Sequence, residues 1–262
     1  MIDNLPRFAK DSYCLFRTPH SFSRKLNLWL NLIHPSRHML GFEISAFHRS
    51  TIAFLYREIF ARQNYLFRAN SESPVVFDCG ANLGMATLYF KWLYPKARIE
   101  SFEPDPNTFQ LLEKNVKDNQ LTDVTTHNCA LWDANGSVEF FVDPSVPGSL
   151  LMSTDRSRIK GVTLEVPSRR LSEFIHGPID LLKLDVEGAE HRVLSDLVSS
   201  GKIESVRQMA IEYHHHIGNQ RSRLADFLQQ LEHSGFDYQI NSSLLPVSAT
   251  GVFQDILIVA YR

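Results

Sequence analysis

Val75-Val76-Phe77-Asp78-Cys79-Gly80-Ala81-Asn82-Leu83-Gly84-Met85-Ala86-Thr87 is the stretch on which the reading of the whole chain turns. Three apolar residues run into an acid without polar alternation, which suits a strand buried on both faces of a parallel sheet. Gly80 and Gly84 bracket a small-residue turn, where a missing Cβ permits positive φ or close approach of a ligand to the backbone. A helical run continues through Leu88, Tyr89 and Phe90. Strand, glycine turn and helix N-terminus in series make a ligand-binding edge of the kind used for nucleotides.

Outward from this edge, strands and helices alternate. The pattern predicts strands at 98–103, 124–128, 179–184 and 205–212, each followed by a turn and most by a helix: 83–94, 106–119, 189–199 and 221–234. Two closing strands are predicted at 236–240 and 255–261, and a side hairpin pairs 138–142 with 162–166. The Ser-, Pro- and Gly-rich stretch between the hairpin strands reads as a functional loop. Such alternation argues a doubly wound, mostly parallel α/β sheet with helices on both faces, over residues 71–262. Residues 1–70 differ. Leu26 to Ile33 suggests one helix, and the apolar positions between Glu43 and Arg62 suggest a longer one. This segment is expected to be a helical cap packed on the sheet. Sharper readings are a substrate lid, or a basic amphipathic surface that touches a membrane or carrier.

A chain of 262 residues can bury a sizeable core, and its 44% apolar and 21% charged residues are ordinary for a globular protein. The net charge of −2 gives no electrostatic case for nucleic acid as a partner. The three cysteines, Cys14, Cys79 and Cys129, lack metal-type spacing and fit reduced thiols. No basic start leads into an apolar signal core, and no segment is long and apolar enough to span a bilayer. A cytoplasmic location is the expectation.

In doubly wound sheets, ligands bind beyond the carboxyl ends of the strands. Those ends collect Asp78–Gly84, Glu103, Asn128–Leu131, Asp185–Glu190 and Glu212–His216. The turn reads Asp-x-Gly-x-Asn-x-Gly and not Gly-x-Gly-x-x-Gly. An acid ahead of the first glycine repels a diphosphate and favours a ligand with an amino group. Glu103, ending the next strand, is placed to accept hydrogen bonds from ribose hydroxyls. A nucleoside joined to a cationic amino acid describes S-adenosylmethionine.

Asp78 to Gly84, then Phe102-Glu103-Pro104-Asp105-Pro106, Asn128-Cys129-Ala130-Leu131, and Leu182-Lys183-Leu184-Asp185-Val186-Glu187-Gly188-Ala189-Glu190 together resemble the FkbM family of class I methyltransferases. The resemblance covers roughly residues 71–216. It implies a seven-stranded Rossmann-like sheet with an antiparallel last strand and S-adenosylmethionine as donor. It also implies O-methylation of a sugar or other natural-product hydroxyl. By that resemblance Asp78, Gly80, Ala81, Asn82 and Gly84 surround the methionine moiety. Glu103 holds the ribose with Phe102 or Pro104 beside the adenine, and Asn128, Cys129 and Ala130 lie near the ring. Arg170-Leu171-Ser172-Glu173 departs from the Thr-Leu-Asp the family often has before its fourth strand.

A hydroxyl nucleophile benefits from a base, worth about 10²–10⁴-fold. Asp185 is the first candidate, and His214 the second. Glu187 and Glu190 have a competing role at a helix start, where acids offset the dipole. Asp185, Glu187 and a histidine are also a donor set that suits Mg²⁺. Two alternatives stay open: N-methylation of a peptide or amine, and a non-catalytic nucleoside-binding protein. A dinucleotide-dependent oxidoreductase is disfavoured by the missing fingerprint.

Overall fold

The structure, a computed structural model, describes residues 7–16, 18–33, 36–145, 148–149, 152–155, 161–217, 223–242 and 254–262. The N-terminal segment contributes helices α1 (Arg7–Phe16) and α2 (Phe22–Ile33), a short strand pair β1 (His38–Met39) and β2 (Phe42–Glu43), and α3 (Arg49–Leu55), which runs on as a π-helical turn, Tyr56–Ala61. The sheet unit follows as β3 (Val75–Cys79), α4 (Met85–Leu93), β4 (Arg98–Phe102), α5 (Pro106–Asp118) and β5 (Val124–His127). A side sheet is built from β6 (Ala130–Trp132), β7 (Gly136–Val142) and β8 (Val162–Arg170). The chain then adds β9 (Leu181–Leu184), α6 (Glu190–Ser199), β10 (Gln208–His215), α7 (Leu224–His233), β11 (Asp237–Ser242) and β12 (Gln254–Tyr261).

The main sheet has seven strands in the order β11-β12-β10-β9-β3-β4-β5. Neighbours from β10 to β5 are parallel, while β12 runs antiparallel to both β10 and β11. The expected doubly wound sheet with an antiparallel last strand is therefore present. The chain first winds outward from β3 through β4 to β5, then returns to place β9 on the other flank of β3. That reversal opens a crevice at the carboxyl ends of β3 and β9, where ligands of such sheets bind.

Period-two alternation divides the strand residues between the faces. Phe77, Cys79, Leu182, Leu184 and Ile211 belong to a core shared with Val193 and Leu197 of α6 and Phe227 and Leu231 of α7. Val76, Leu181 and Ala210 join the opposite core with Leu88 and Tyr89 of α4 and with Leu15, Leu28, Tyr56 and Phe60 of the N-terminal helices. The Phe60 ring stands edge-on to Tyr89 at 5.1 Å and lies parallel to Tyr56 at 5.2 Å. Tyr56 donates from its hydroxyl to the Leu28 carbonyl at 2.9 Å. The segment before residue 70 thus shares one hydrophobic core with the sheet.

The long helix expected over 43–62 begins only at Arg49. Glu43 and Ser45 are held extended by α5. The Asn119 side chain accepts from the Glu43 N–H at 2.8 Å and donates to its carbonyl at 2.7 Å. Asn115 does the same for Ser45, at 2.7 and 3.0 Å. Two carboxamides substitute for a neighbouring strand, and these bonds outweigh local helical periodicity. The side hairpin gained a third member, β6, parallel to β8. Parts of the predicted loop between its strands and of the helix start at Arg221 lie outside the described residues. Among the described residues, no helix is long and apolar enough to cross a membrane.

Candidate active site

Gly80 sits at the crevice with φ +80°. A Cβ there would lie 1.7 Å from the Asp185 carbonyl oxygen, so β3 and β9 can approach this closely only with glycine at that position. The Gly80 and Ala81 amides both donate to the Phe102 carbonyl, at 3.0 and 2.8 Å, which folds the turn toward β4. Asn82, with φ +50°, donates its amide to Glu103 Oε2 at 2.9 Å. Glu103 Oε1 accepts the Asp105 amide at 2.9 Å, and the residue is only 4% exposed. Burial pushes the Glu103 carboxyl up to about 8, against the pull of those two amides.

These elements form one wall of a cleft enclosing about 840 Å³ of atom-free space, its open mouth included. Gly80, Ala81, Asn82, Phe102, Glu103, Pro104, Cys129, Ala130 and Asp185 all line it, so most of the residues expected around a donor come together here. Apolar walls come from Leu131 and Phe140 of the side sheet, Met152, and Leu55 and Ile59 of the N-terminal segment. Phe102 closes the floor, stacked on His127 at 4.7 Å and edge-on to Phe174 at 5.0 Å. Cys79 and Cys129 are buried free thiols. Burial raises both, Cys129 to about 11, which leaves them as packed, unreactive groups.

Three expected donor residues stand behind the wall. Gly84 would bring a Cβ to 2.8 Å from Leu112 Cδ1, so its φ of +91° serves the packing of the turn on α5. Asn128 donates to the Glu103 and Pro104 carbonyls at 2.9 and 3.1 Å, holding that turn from behind. Asp78 is fully buried; it accepts from the Thr87 hydroxyl at 2.7 Å and faces Lys183 Nζ at 3.3 Å. Its carboxylate is therefore partnered inside the protein, whereas Asp185 lines the cleft.

Lys183 belongs to the quoted Leu182–Glu190 motif, although sequence reading assigns it no role. It pairs in register with Asp78 across β3 and β9 and is 2% exposed. Its ammonium donates to the Gly80 carbonyl at 2.6 Å and lies 3.4 Å from Asp185 Oδ2. Burial alone would lower its affinity for the proton, but Asp185, Asp78 and Glu212 together outweigh burial and raise it. Glu212 is pushed up to about 8 by burial and then by Asp185, and Tyr65 donates its hydroxyl to it. Tyr65 comes from the N-terminal segment and lines the cleft. It lies in no periodic run, and sequence reading missed it.

Asp185 has one oxygen, Oδ2, toward Lys183, while the other, Oδ1, is buried without a hydrogen-bond donor among the described residues. That orphaned acceptor at the cleft is what a donor ammonium or an acceptor hydroxyl would satisfy. Together with the desolvated Glu103 and the cradle at Gly80, it shows that the residues present fit a nucleoside carrying an amino acid. His214 is the group beside Asp185, with Nε2 at 2.9 Å from Glu187 Oε2 and 3.8 Å from Asp185 Oδ1. Its Nδ1 lies 2.8 Å from Glu190 Oε1. Burial would lower its basicity, but Glu187 and Glu190 outweigh that and raise it well above the ordinary value. His214 thus has an acid at each ring nitrogen, Glu187 at Nε2 and Glu190 at Nδ1, beside the candidate base Asp185. Glu190 also accepts the Gly188 amide at 2.9 Å, the helix-start role expected of it. Ligand atoms of Asp185, Glu187 and His214 lie within 4.8 Å of one another, a spacing that a divalent ion could bridge.

A second, more polar cleft adjoins the first: Thr154 lines both, and the Glu187-Gly188-Ala189-Glu190 turn separates them. Its walls include Trp132, Asp133, His191, Arg192, Tyr213 and His214. The Arg192 guanidinium lies 4.5 Å over the Trp132 ring and pairs with Asp133 at 2.8 Å.

The profile of the Methyltransferase FkbM domain family matches residues 78–238. A protein named Methyltransferase 1, from Beauveria bassiana, is 32% identical over 167 residues, covering 56% of this chain and 67% of its own length. The 31-O-demethyl-FK506 methyltransferase FkbM of Streptomyces tacrolimicus is 30% identical over 194 residues, 62% of this chain and 74% of that one. The 2-O-methyltransferase NoeI of Sinorhizobium fredii is 30% identical over 147 residues, 49% of this chain and 58% of its own. A crystal structure of the methyltransferase FkbM from Methylobacillus flagellatus superposes with a TM-score of 0.50 at 16% identity, over 91% of this chain and 59% of that chain, a likeness of fold.

Proposed function

The chain belongs to the FkbM methyltransferase family, and on that premise we propose that it transfers a methyl group from S-adenosylmethionine to a hydroxyl of a small polar acceptor such as a sugar or secondary metabolite. The observation that carries this reading is Asp185, a carboxylate with an orphaned oxygen lining the same cleft as Gly80, Asn82 and Glu103, with the polar cleft across the Glu187–Glu190 turn. Family relatives support oxygen as the nucleophile, since two carry names that specify O-methylation.

The donor supplies an electrophilic methyl on a sulfonium. The chain's residues do the rest. With the donor bound, Glu103 would take the ribose hydroxyls, the Gly80–Asn82 turn would border the amino-acid arm, and Pro104 and Ala130 would bound the base. Asp185 accepts the acceptor's hydroxyl proton as the new C–O bond forms, and the thioether leaves uncharged. Holding both reactants in line supplies up to about 7–11 kcal/mol of the barrier reduction. The apolar walls exclude water, which would otherwise compete for the carboxylate.

Calorimetric titration with S-adenosylhomocysteine tests the donor assignment; folded protein that fails to bind it at micromolar concentrations defeats the proposal. Glu103→Gln is expected to cost about 1.5–3 kcal/mol of that affinity, because a buried charged acceptor for two hydroxyls is lost. An unchanged affinity removes Glu103 from the ribose site. Binding should also depend on pH. Free Glu103 holds its proton until about pH 8, and ribose hydroxyls need the carboxylate. Affinity should therefore rise with pH by up to about tenfold per unit below that value and level off above it. Proton release near pH 7, read as a dependence of binding heat on buffer, should disappear in Glu103→Gln.

A further inference from the structure

The outer side of the N-terminal hairpin, α1 and α2, carries a feature the reaction does not use. Leu28 and Leu32 of α2 point into the core, yet Phe22, Leu26, Leu30 and Ile33 repeat at i, i+4, i+8 and i+11 on a second face that faces solvent. Phe22 is 72% exposed and Leu30 51%, values far from those of a buried stripe. The patch extends toward α1, where exposed Phe8 lies 6.4 Å from the Trp29 ring. A row of large apolar side chains held outward on an ordered helix marks an interaction surface.

Charge identifies the partner. Residues 8–42 contain Lys10, Arg17, Arg24, Lys25 and Arg37 against a single carboxylate, Asp11. Asp11 is fully buried and is held by Arg57 at 2.9 Å and Arg62 at 2.8 Å, so the hairpin presents no carboxylate to its surroundings. Of the acids on neighbouring elements, Glu58 is paired with Arg62, and Glu43 and Asp118 line a groove with Asn27 and Asn31, on the polar flank of α2. A second copy docked about a two-fold axis would set this cationic hairpin against itself. An anionic headgroup layer complements it while the acyl boundary takes the phenylalanines and leucines. We infer that the α1–α2 hairpin is a peripheral docking surface for anionic lipid bilayers, with Phe22, Leu26, Leu30 and Ile33 as its inserting edge.

Sedimentation with phosphatidylcholine vesicles containing about a third phosphatidylglycerol tests this. The whole chain is expected to partition onto these vesicles, to ignore pure phosphatidylcholine, and to dissociate as salt rises from about 0.1 to 0.5 M. Phe22→Ser with Leu30→Ser should lower the partition about tenfold or more, since both side chains lose their apolar burial. S-adenosylhomocysteine binding should be unchanged in that variant, because neither residue reaches the donor cleft. Failure to sediment, equal partition of the double variant, or a wild-type dimer that the variant dissolves overturns the inference. Loss of donor binding by wild-type protein would strike the methyl-transfer reading alone.

Discussion

Asp185→Asn is expected to lower turnover by about 10²–10⁴-fold while S-adenosylhomocysteine binds with nearly wild-type affinity. The amide keeps the shape of the side chain and a contact toward Lys183, 3.4 Å away, but it cannot take a proton. His214 offers no relief, because Glu187 and Glu190 occupy its two nitrogens at 2.9 and 2.8 Å. Single-turnover kinetics with a competent acceptor measure the effect. If affinity falls and turnover does not, Asp185 is a partner of the donor's ammonium and the base lies elsewhere. The pattern separates the two roles, since a transition-state contact lowers kcat whereas a ground-state one raises Kd.

Lys183→Met should cost about 3–5 kcal/mol of folding stability, as removal of one partner from a buried ion pair does. Asp78, fully buried, would keep only the Thr87 hydroxyl at 2.7 Å, and the Gly80 carbonyl would lose its donor at 2.6 Å. Methionine fills similar volume, so the loss reflects charge and hydrogen bonding more than a cavity. Denaturant unfolding reads the change directly. Adding Asp78→Asn to the same chain should recover part of the loss, because the uncompensated carboxylate is gone. A Lys183→Met protein within 1 kcal/mol of wild type would show, contrary to this account, that the pair contributes little.

The contrast between these residues explains what could be read from sequence. Strands β3, β9 and β10 were legible because largely apolar stretches end in polar residues, β4 because Ile99 and Phe102 lead into Glu103 and a Pro-Asp-Pro turn, and the switch point follows from their winding. Gly80 was legible as a turn residue. Its closeness to Asp185 was not, because that depends on which strands are neighbours. The same holds for Lys183: inside an apolar run it reads as an exception, and only the pairing of β3 with β9 sets it beside Asp78. The same pairing buries the motif acid Asp78 against Lys183 and Thr87, while Asp185 of the neighbouring strand end lines the cleft. Tyr65 and the extended Glu43–Ser45 segment share a different cause. Both are fixed by contacts to distant residues, Glu212 for the first and Asn115 and Asn119 for the second, and no local period encodes such bonds.

The sharing of one hydrophobic core between the N-terminal helices and α4 bears on redesign of acceptor choice. Transplanting residues 1–70 from a relative would look like exchanging a cassette, since no strand of the main sheet is cut. Phe60 against Tyr89 and Tyr56 against Phe60 make that seam part of the hydrophobic core of one sheet face, and Tyr65 carries it into the cleft beside Glu212. A chimera that leaves the outer surface of α4 unmatched should fail to fold before it changes specificity. Specificity and stability are thus inherited together, and evolution of one must negotiate with the other.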